Sequence, residues 1–197
     1  MPVKGEHEDG RARFAELLGG LSLFGELADG FPAEKVARTC VIGVEVGRRA
    51  GLPDETLRDA YYTTLLHYMG CVGFSHEEAH VYGAGDDILT RNVMATADVT
   101  NPVATISAIV GRIGGASPGS LGDRARALGR LLTDKTAATQ HAHAQCETSM
   151  WMARLVGVSE RVVEALSSTC ERWDGKGGPN GRAAEALPVA SRLMALA

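Results

Sequence analysis

Hydrophobic positions recur at helical spacing along most of the chain. Residues 11–28 carry Phe14, Leu17, Leu18, Leu21, Phe24 and Leu27 on a helical repeat, which predicts a first helix weakened in its middle by Gly19 and Gly20. Phe31-Pro32 breaks that repeat. A second helix is expected over 33–50, with Val36, Cys40, Val44 and Gly47 along one face and Gly51 as its stop. A third starts at Asp54 and runs through Leu57, Tyr61, Leu65, Tyr68 and Val72, with Asp54 and Glu55 at the positive end of its dipole. The stretch 70–87, rich in glycine and histidine, reads as a loop or short turns.

Residues 103–113 are β-branched, yet Val103, Ile106, Val110 and Ile113 keep a helical spacing; helix is expected, with strand as an open alternative. After the glycines of 114–119, Leu121, Ala125, Leu128 and Leu132 begin another helical pattern, and one helix or two carry it to Met150, Met152 and Leu155. Ser159 suits the N-cap of a helix bearing Val162, Val163, Leu166, Cys170 and Trp173, and Pro188 suits the first turn of a last helix over 189–197. The expected fold class is all-α. Its final SRLMALA, apolar and without a C-cap glycine, reads as a C-terminal truncation inside an element.

Composition changes this picture little. A length of 197 residues with 45% hydrophobic and 22% charged residues is ordinary for a folded chain and excludes wholesale disorder. No apolar run approaches the roughly 20 residues that cross a bilayer, and the first residues lack the apolar core of a signal peptide, so the expectation is a cytoplasmic protein without a membrane partner. A formal charge of −4 argues against direct nucleic-acid binding by this segment. Cys40, Cys71, Cys146 and Cys170 form no CxxC pair and read as buried, inert thiols. Trp151 with Met150 and Met152 reads as core, and His141 and His143, on opposite sides of a helix, as surface.

The densest chemistry lies in ERWDGKGGPNG, residues 171–181. Glu171, Asp174 and Lys176 stand beside Gly175 and Gly177, an acid and a cation among glycines that let backbone approach a ligand, which suits a phosphate loop; a helix-terminating turn is the competing reading. The run 171–197 resembles the C-terminal signature of the HD-GYP family within the HD-domain phosphohydrolases, HHExxDGxGYPxGL followed by an IPxxARI helix. LLHYMGCVGF, residues 65–74, is similar to that family's LLHDIGKIGI.

The resemblance spans roughly 33–197 and implies an HD-type helical bundle, with residues 1–32 forming a helix that packs on it or precedes it. It also implies metal-dependent cleavage of cyclic di-nucleotides, through two or three metals held by histidines and aspartates. Several of those positions differ here. His67 matches the histidine of the HD pair, but Tyr68 stands for its aspartate, Cys71 for the following lysine, Thr169 and Cys170 for the histidine pair, and Gly178 for the tyrosine. Residues 33–50 contain no histidine. The expectation is therefore a degenerate HD-GYP-like domain, regulatory, sensory or dimerising, in bacterial signalling or transcription control, like the HD-type region of LuxR-like regulators. It would work as a homodimer and take a cyclic nucleotide or other phosphate ligand, with either no cofactor or a divalent iron, manganese or zinc ion. The alternative is an active cyclic di-nucleotide phosphodiesterase.

A second motif competes. HEEAHVYGAGD reads HExxHxxGxxD, with His76 and His80 one helical turn apart, Glu77 as a general base and Asp86 as a third ligand, the pattern of zinc metalloproteases. Glycines on both sides and helices where substrate-binding strands belong weigh against catalysis, leaving a non-catalytic metal site at His67, His76 and His80 as the milder form of the idea.

Overall fold

The computed structural model describes residues 13–28, 31–70 and 135–197, together with Val103 and Ser107. Within them lie α1 (Phe14–Ala28), α2 (Lys35–Arg49), α3 (Asp54–His67), α4 (Lys135–Val156), α5 (Glu160–Leu166), a 3₁₀ turn (Ala184–Ala186) and α6 (Val189–Leu196), with no strand among the described residues. The fold is all-α, as the repeat predicts. Val103 and Ser107 are helical; the rest of 103–113, and the 114–134 pattern, fall outside the described residues.

α3 is the central helix, with α1, α2, α4, α5 and α6 all packed against it. That position explains why its buried residues, Leu57, Asp59, Ala60, Thr63, Thr64, Leu65 and Leu66, do not keep to one apolar stripe. One core cluster joins Leu18, Val36, Cys40, Leu65, Leu66, Ala153, Val162, Val163 and Leu166; a second joins Ala60, Ala165, Ala190 and Leu193 under α6.

Two boundaries and one buried face differ from the sequence reading, each for a physical reason. α3 ends at His67, short of Tyr68, because α4 crosses the chain there: Ser149 Oγ donates to the His67 carbonyl at 3.2 Å, and a Cβ on Gly70 would collide with Ser149 Oγ and the Gln145 carbonyl; Val72 lies outside the described residues. α5 stops at Leu166 and a tight turn over 167–170 replaces the expected extension to Trp173. The third difference is in α1. Its apolar residues Phe14, Leu17, Leu21, Phe24 and Leu27 are largely exposed, whereas Leu18, Ser22 and Glu26 face inward. Glu26, only 1% exposed, accepts from the Val36 backbone N–H and so supplies the N-terminal acceptor that α2 lacks, since Glu34 at its own N-cap is left-handed (φ 67°) and makes no side-chain cap.

Ser159 is the N-cap of α5, accepting from the Val162 N–H at 3.4 Å, as the sequence predicts. Its hydroxyl also donates to Asp59 Oδ1 at 3.1 Å, while Arg161 Nε donates to Asp59 Oδ2 at 2.6 Å and its guanidinium pairs with Glu55. One buried carboxylate on α3 thus fixes the start of α5.

Candidate functional site

The turn after α5 delivers Cys170 and Glu171 to a loop that folds back on its own origin. The Gly178 N–H donates to the Cys170 carbonyl at 3.1 Å, and the Asn180 N–H to Glu171 Oε1 at 2.6 Å. Gly177 lies inside that closure: a Cβ there would collide with the Arg172 nitrogen and approach the Cys170 oxygen to 2.6 Å, so only glycine fits. Arg182 holds the base from outside, donating to Ser167 Oγ at 3.3 Å and Ser168 Oγ at 2.9 Å.

The charged residues of the loop divide by environment. Asp174 is exposed and held below the usual carboxylate range by the Arg172 guanidinium, which grips it at 3.0 and 2.7 Å, and by the Lys176 N–H at 3.1 Å. Glu171 is buried at 7% exposure; its Oε2 meets no hydrogen-bond partner and lies out of contact with solvent. The loop brings together Glu171, Asp174, Gly175, Lys176 and Gly177, the residues that the sequence groups as a phosphate loop.

Between this loop and α6 opens a cleft of about 910 Å³, a size typical of small-molecule sites, walled by Glu171, Arg172, Trp173 and Asp174 on one side and by Arg192 and Leu193 on the other. Trp173 is 57% exposed, and the Arg192 guanidinium stands over its ring at 5.8 Å from the centroid. Arg192 Nε on the cleft wall is, like Glu171 Oε2, buried without a hydrogen-bond partner. An apolar cleft with a flat aromatic face, a guanidinium and an unmatched donor and acceptor is chemically suited to a planar ring that carries charge. Arg192 was not singled out by the sequence reading. Its only signal was a cation on the inner face of a short helix after the glycine loop.

His67 sits apart from that cleft, at the C-terminal end of α3. Its ring lies edge-on to Tyr68 with centroids 4.9 Å apart, and its Nδ1 is buried without a hydrogen-bond partner. Burial, with a smaller effect of the Lys35 ammonium, holds the imidazole neutral, its pKa lowered to about 4. His76 and His80, with Glu77 and Asp86, lie outside the described residues. The metal chemistry that the resemblance implies needs several donors converging on one point, and among the described residues no three His, Cys, Asp or Glu side chains do so. The described residues by themselves therefore do not fit a metal.

The cysteines depart from the sequence reading. Cys40 is the inert thiol expected, buried against α1 and α3 and pushed up to about 12 by burial and then by Glu26. Cys146 and Cys170, however, face each other across α4 and the loop base. Cys146 Sγ lies 3.7 Å from Thr169 Oγ1, Cys170 Sγ donates to Gln145 Oε1 at 3.3 Å, and the two thiols interact directly. Cys170 is only half-buried.

Comparison with known proteins agrees with this architecture. The HD-domain family profile matches residues 88–197, more than half of the chain. A 3'3'-cGAMP-specific phosphodiesterase of Vibrio cholerae is 29% identical over 184 residues, covering 93% of this chain and 39% of its own length. The crystal structure of a cyclic GMP-AMP specific phosphodiesterase of V. cholerae superposes with a TM-score of 0.61 at 26% identity, again over 93% of this chain and 39% of that one. The chain thus spans about two fifths of the length of the curated relative it matches. No described helix is long and apolar enough to cross a membrane. An all-α bundle around a central helix that ends in the histidine of LLHYMG, a glycine loop after α5 and a family match over 88–197 together place the chain in the HD-domain family, among the HD-domain phosphohydrolases.

Proposed function

We propose that the chain is an HD-type phosphohydrolase domain whose ligand class is the cyclic dinucleotides. The observation that carries this reading is the similarity over 93% of its length to a phosphodiesterase specific for 3'3'-cGAMP. The cleft beside the glycine loop supports it: Trp173 offers a flat face for a purine, Arg192 a cation above that face, and Lys176, exposed on the loop, a charge for a phosphodiester. HD-domain phosphodiesterases depend in general on divalent metal, so turnover here would draw on donors from the 71–134 segment, which contains His76, His80 and Asp86.

A second reading has its own observation. Tyr68, Thr169 and Cys170 occupy positions where the family's metal donors are expected, and the described residues bring no three donors together. A domain that binds a cyclic dinucleotide without cleaving it, in a sensory or dimerising role, follows from that.

One set of measurements separates the two. Protein purified without chelator is analysed for metal, titrated with 3'3'-cGAMP by calorimetry, and assayed for turnover with manganese or iron. Metal with turnover supports the phosphodiesterase. Binding without turnover supports the regulatory domain, and in that case Trp173→Ala should weaken binding by about tenfold or more, since stacking a base on an aromatic ring contributes about 1–3 kcal/mol. The absence of both binding and turnover with every cyclic dinucleotide tested would sink the proposal.

A further inference from the structure

We infer that Cys146 and Cys170 form a reversible intramolecular disulfide under oxidising conditions, a modification site that ties α4 to the base of the glycine loop.

The inference rests on placement. Gln145 and Cys146 on α4 face Thr169 and Cys170 at the end of the turn after α5, through contacts of 3.3 Å between Cys170 Sγ and Gln145 Oε1 and 3.7 Å between Cys146 Sγ and Thr169 Oγ1. Two such crossed contacts between neighbouring residue pairs place the two thiols side by side between α4 and the turn after α5. The pair also divides the labour that oxidation needs. Cys170 is half-buried and reachable by a small oxidant, whereas Cys146, 2% exposed, is held in the interior as the resolving thiol. Cys40 shows the contrast: it is buried with a raised pKa, and its thiol donates to the Tyr61 carbonyl at 3.7 Å.

A peroxide is the oxidant class the geometry suits. The Cys170 sulfur attacks the peroxide, the O–O bond breaks, and one oxygen stays on sulfur as a sulfenic acid while the other leaves as water or an alcohol. The Cys146 thiolate then attacks that sulfur, the S–S bond forms, the S–O bond breaks, and hydroxide leaves to take up a proton as water. A dithiol reductant reverses the change. Cys170 directly precedes Glu171, and its carbonyl receives the Gly178 N–H, so the bond would anchor the loop at the residue from which it springs.

The test uses the whole chain and does not depend on the proposed function. After treatment with hydrogen peroxide, alkylatable thiols should fall from the four cysteines of the sequence to two. Mass spectrometry of an unreduced digest should find a Cys146–Cys170 linked peptide, and dithiothreitol should restore all four. Cys146→Ser should leave a sulfenic acid on Cys170 that dimedone traps. Circular dichroism checks that this variant is folded; if it is not, the linked peptide of the unaltered chain decides alone. Sulfinic acid on Cys170 with Cys146 still alkylatable would overturn the inference, and so would a link that joins Cys40 or Cys71 instead.

Discussion

Gly177 lies where the chain passes over its own backbone, with the Arg172 nitrogen and the Cys170 oxygen occupying the space a side chain would need. Both obstacles are main chain and belong to one tight turn, so neither yields by rotation. Gly177→Ala is expected to destabilise by about 1–3 kcal/mol, as overpacking at a rigid site does, and to lower the urea midpoint without changing the helical signal of the native state. An unaltered midpoint would mean the loop is not closed as described. His67 gives a pH prediction. Its imidazole is neutral in the fold down to about 4, against 6.5 for the unperturbed group. Between those values the unfolded chain takes up a proton that the folded chain refuses, so stability falls as pH drops through that window and levels off below it. The loss amounts to at most about 3 kcal/mol. His67→Gln should flatten this part of the stability curve between pH 7 and 4, and equal slopes in the two proteins would refute the assignment. The glycines of the loop were legible as turn-formers from their spacing. That Gly177 in particular admits no side chain was not, because the obstacle is a carbonyl seven residues upstream.

Asp59 connects elements more than it serves its own helix. It takes the Ser159 hydroxyl and the Arg161 guanidinium, a hundred residues on, and thereby sets where α5 begins. Asp59→Ala removes the acceptor of the Ser159 hydroxyl and one of the two carboxylates that hold Arg161, and should cost about 1 kcal/mol, read as a lowered thermal midpoint. Asp59→Asn retains an acceptor and should lose less; equal losses would show that packing, not the acceptor, matters at this position. Helix starts were legible wherever a cap is local, as at Ser159 before α5 and at Pro188 before α6. Helix ends were less so, since α3 stops where α4 crosses it and α5 stops where the loop turns back, and both events depend on residues far along the chain. α1 was the least legible, because its sequence shows a broad apolar face but not which side the fold turns inward.

At the scale of the molecule, the helical repeat with two motifs was enough for the family. LLHYMG and the glycine loop are far apart in sequence, and both come up against α4: a Cβ on Gly70 would meet the Gln145 carbonyl, and Cys170 Sγ donates to Gln145 Oε1. The cleft and the thiol pair were beyond reach of the sequence. Trp173 and Arg192 meet only because α6 folds back along the loop, and Cys146 and Cys170 only because α4 lies against its base. A cysteine on a helix and another in a turn look inert until the two elements are placed. The comparisons weigh toward the phosphodiesterase that the sequence offered as its second reading, while the replaced donor positions keep the binding-only domain in view.

The carboxylate of Glu26 has a consequence for how the chain divides. By composition, residues 1–32 look like an appendage that could be trimmed. In hydrogen-bond terms the seam runs elsewhere: the acceptor for the first turn of α2 is carried by α1, and Leu18 belongs to the main core. A fragment beginning at residue 33 would expose a helix start with an unanswered N–H and a hole beside Val36 and Leu66. A fragment that keeps α1 should therefore unfold at a higher temperature than one that begins at residue 33.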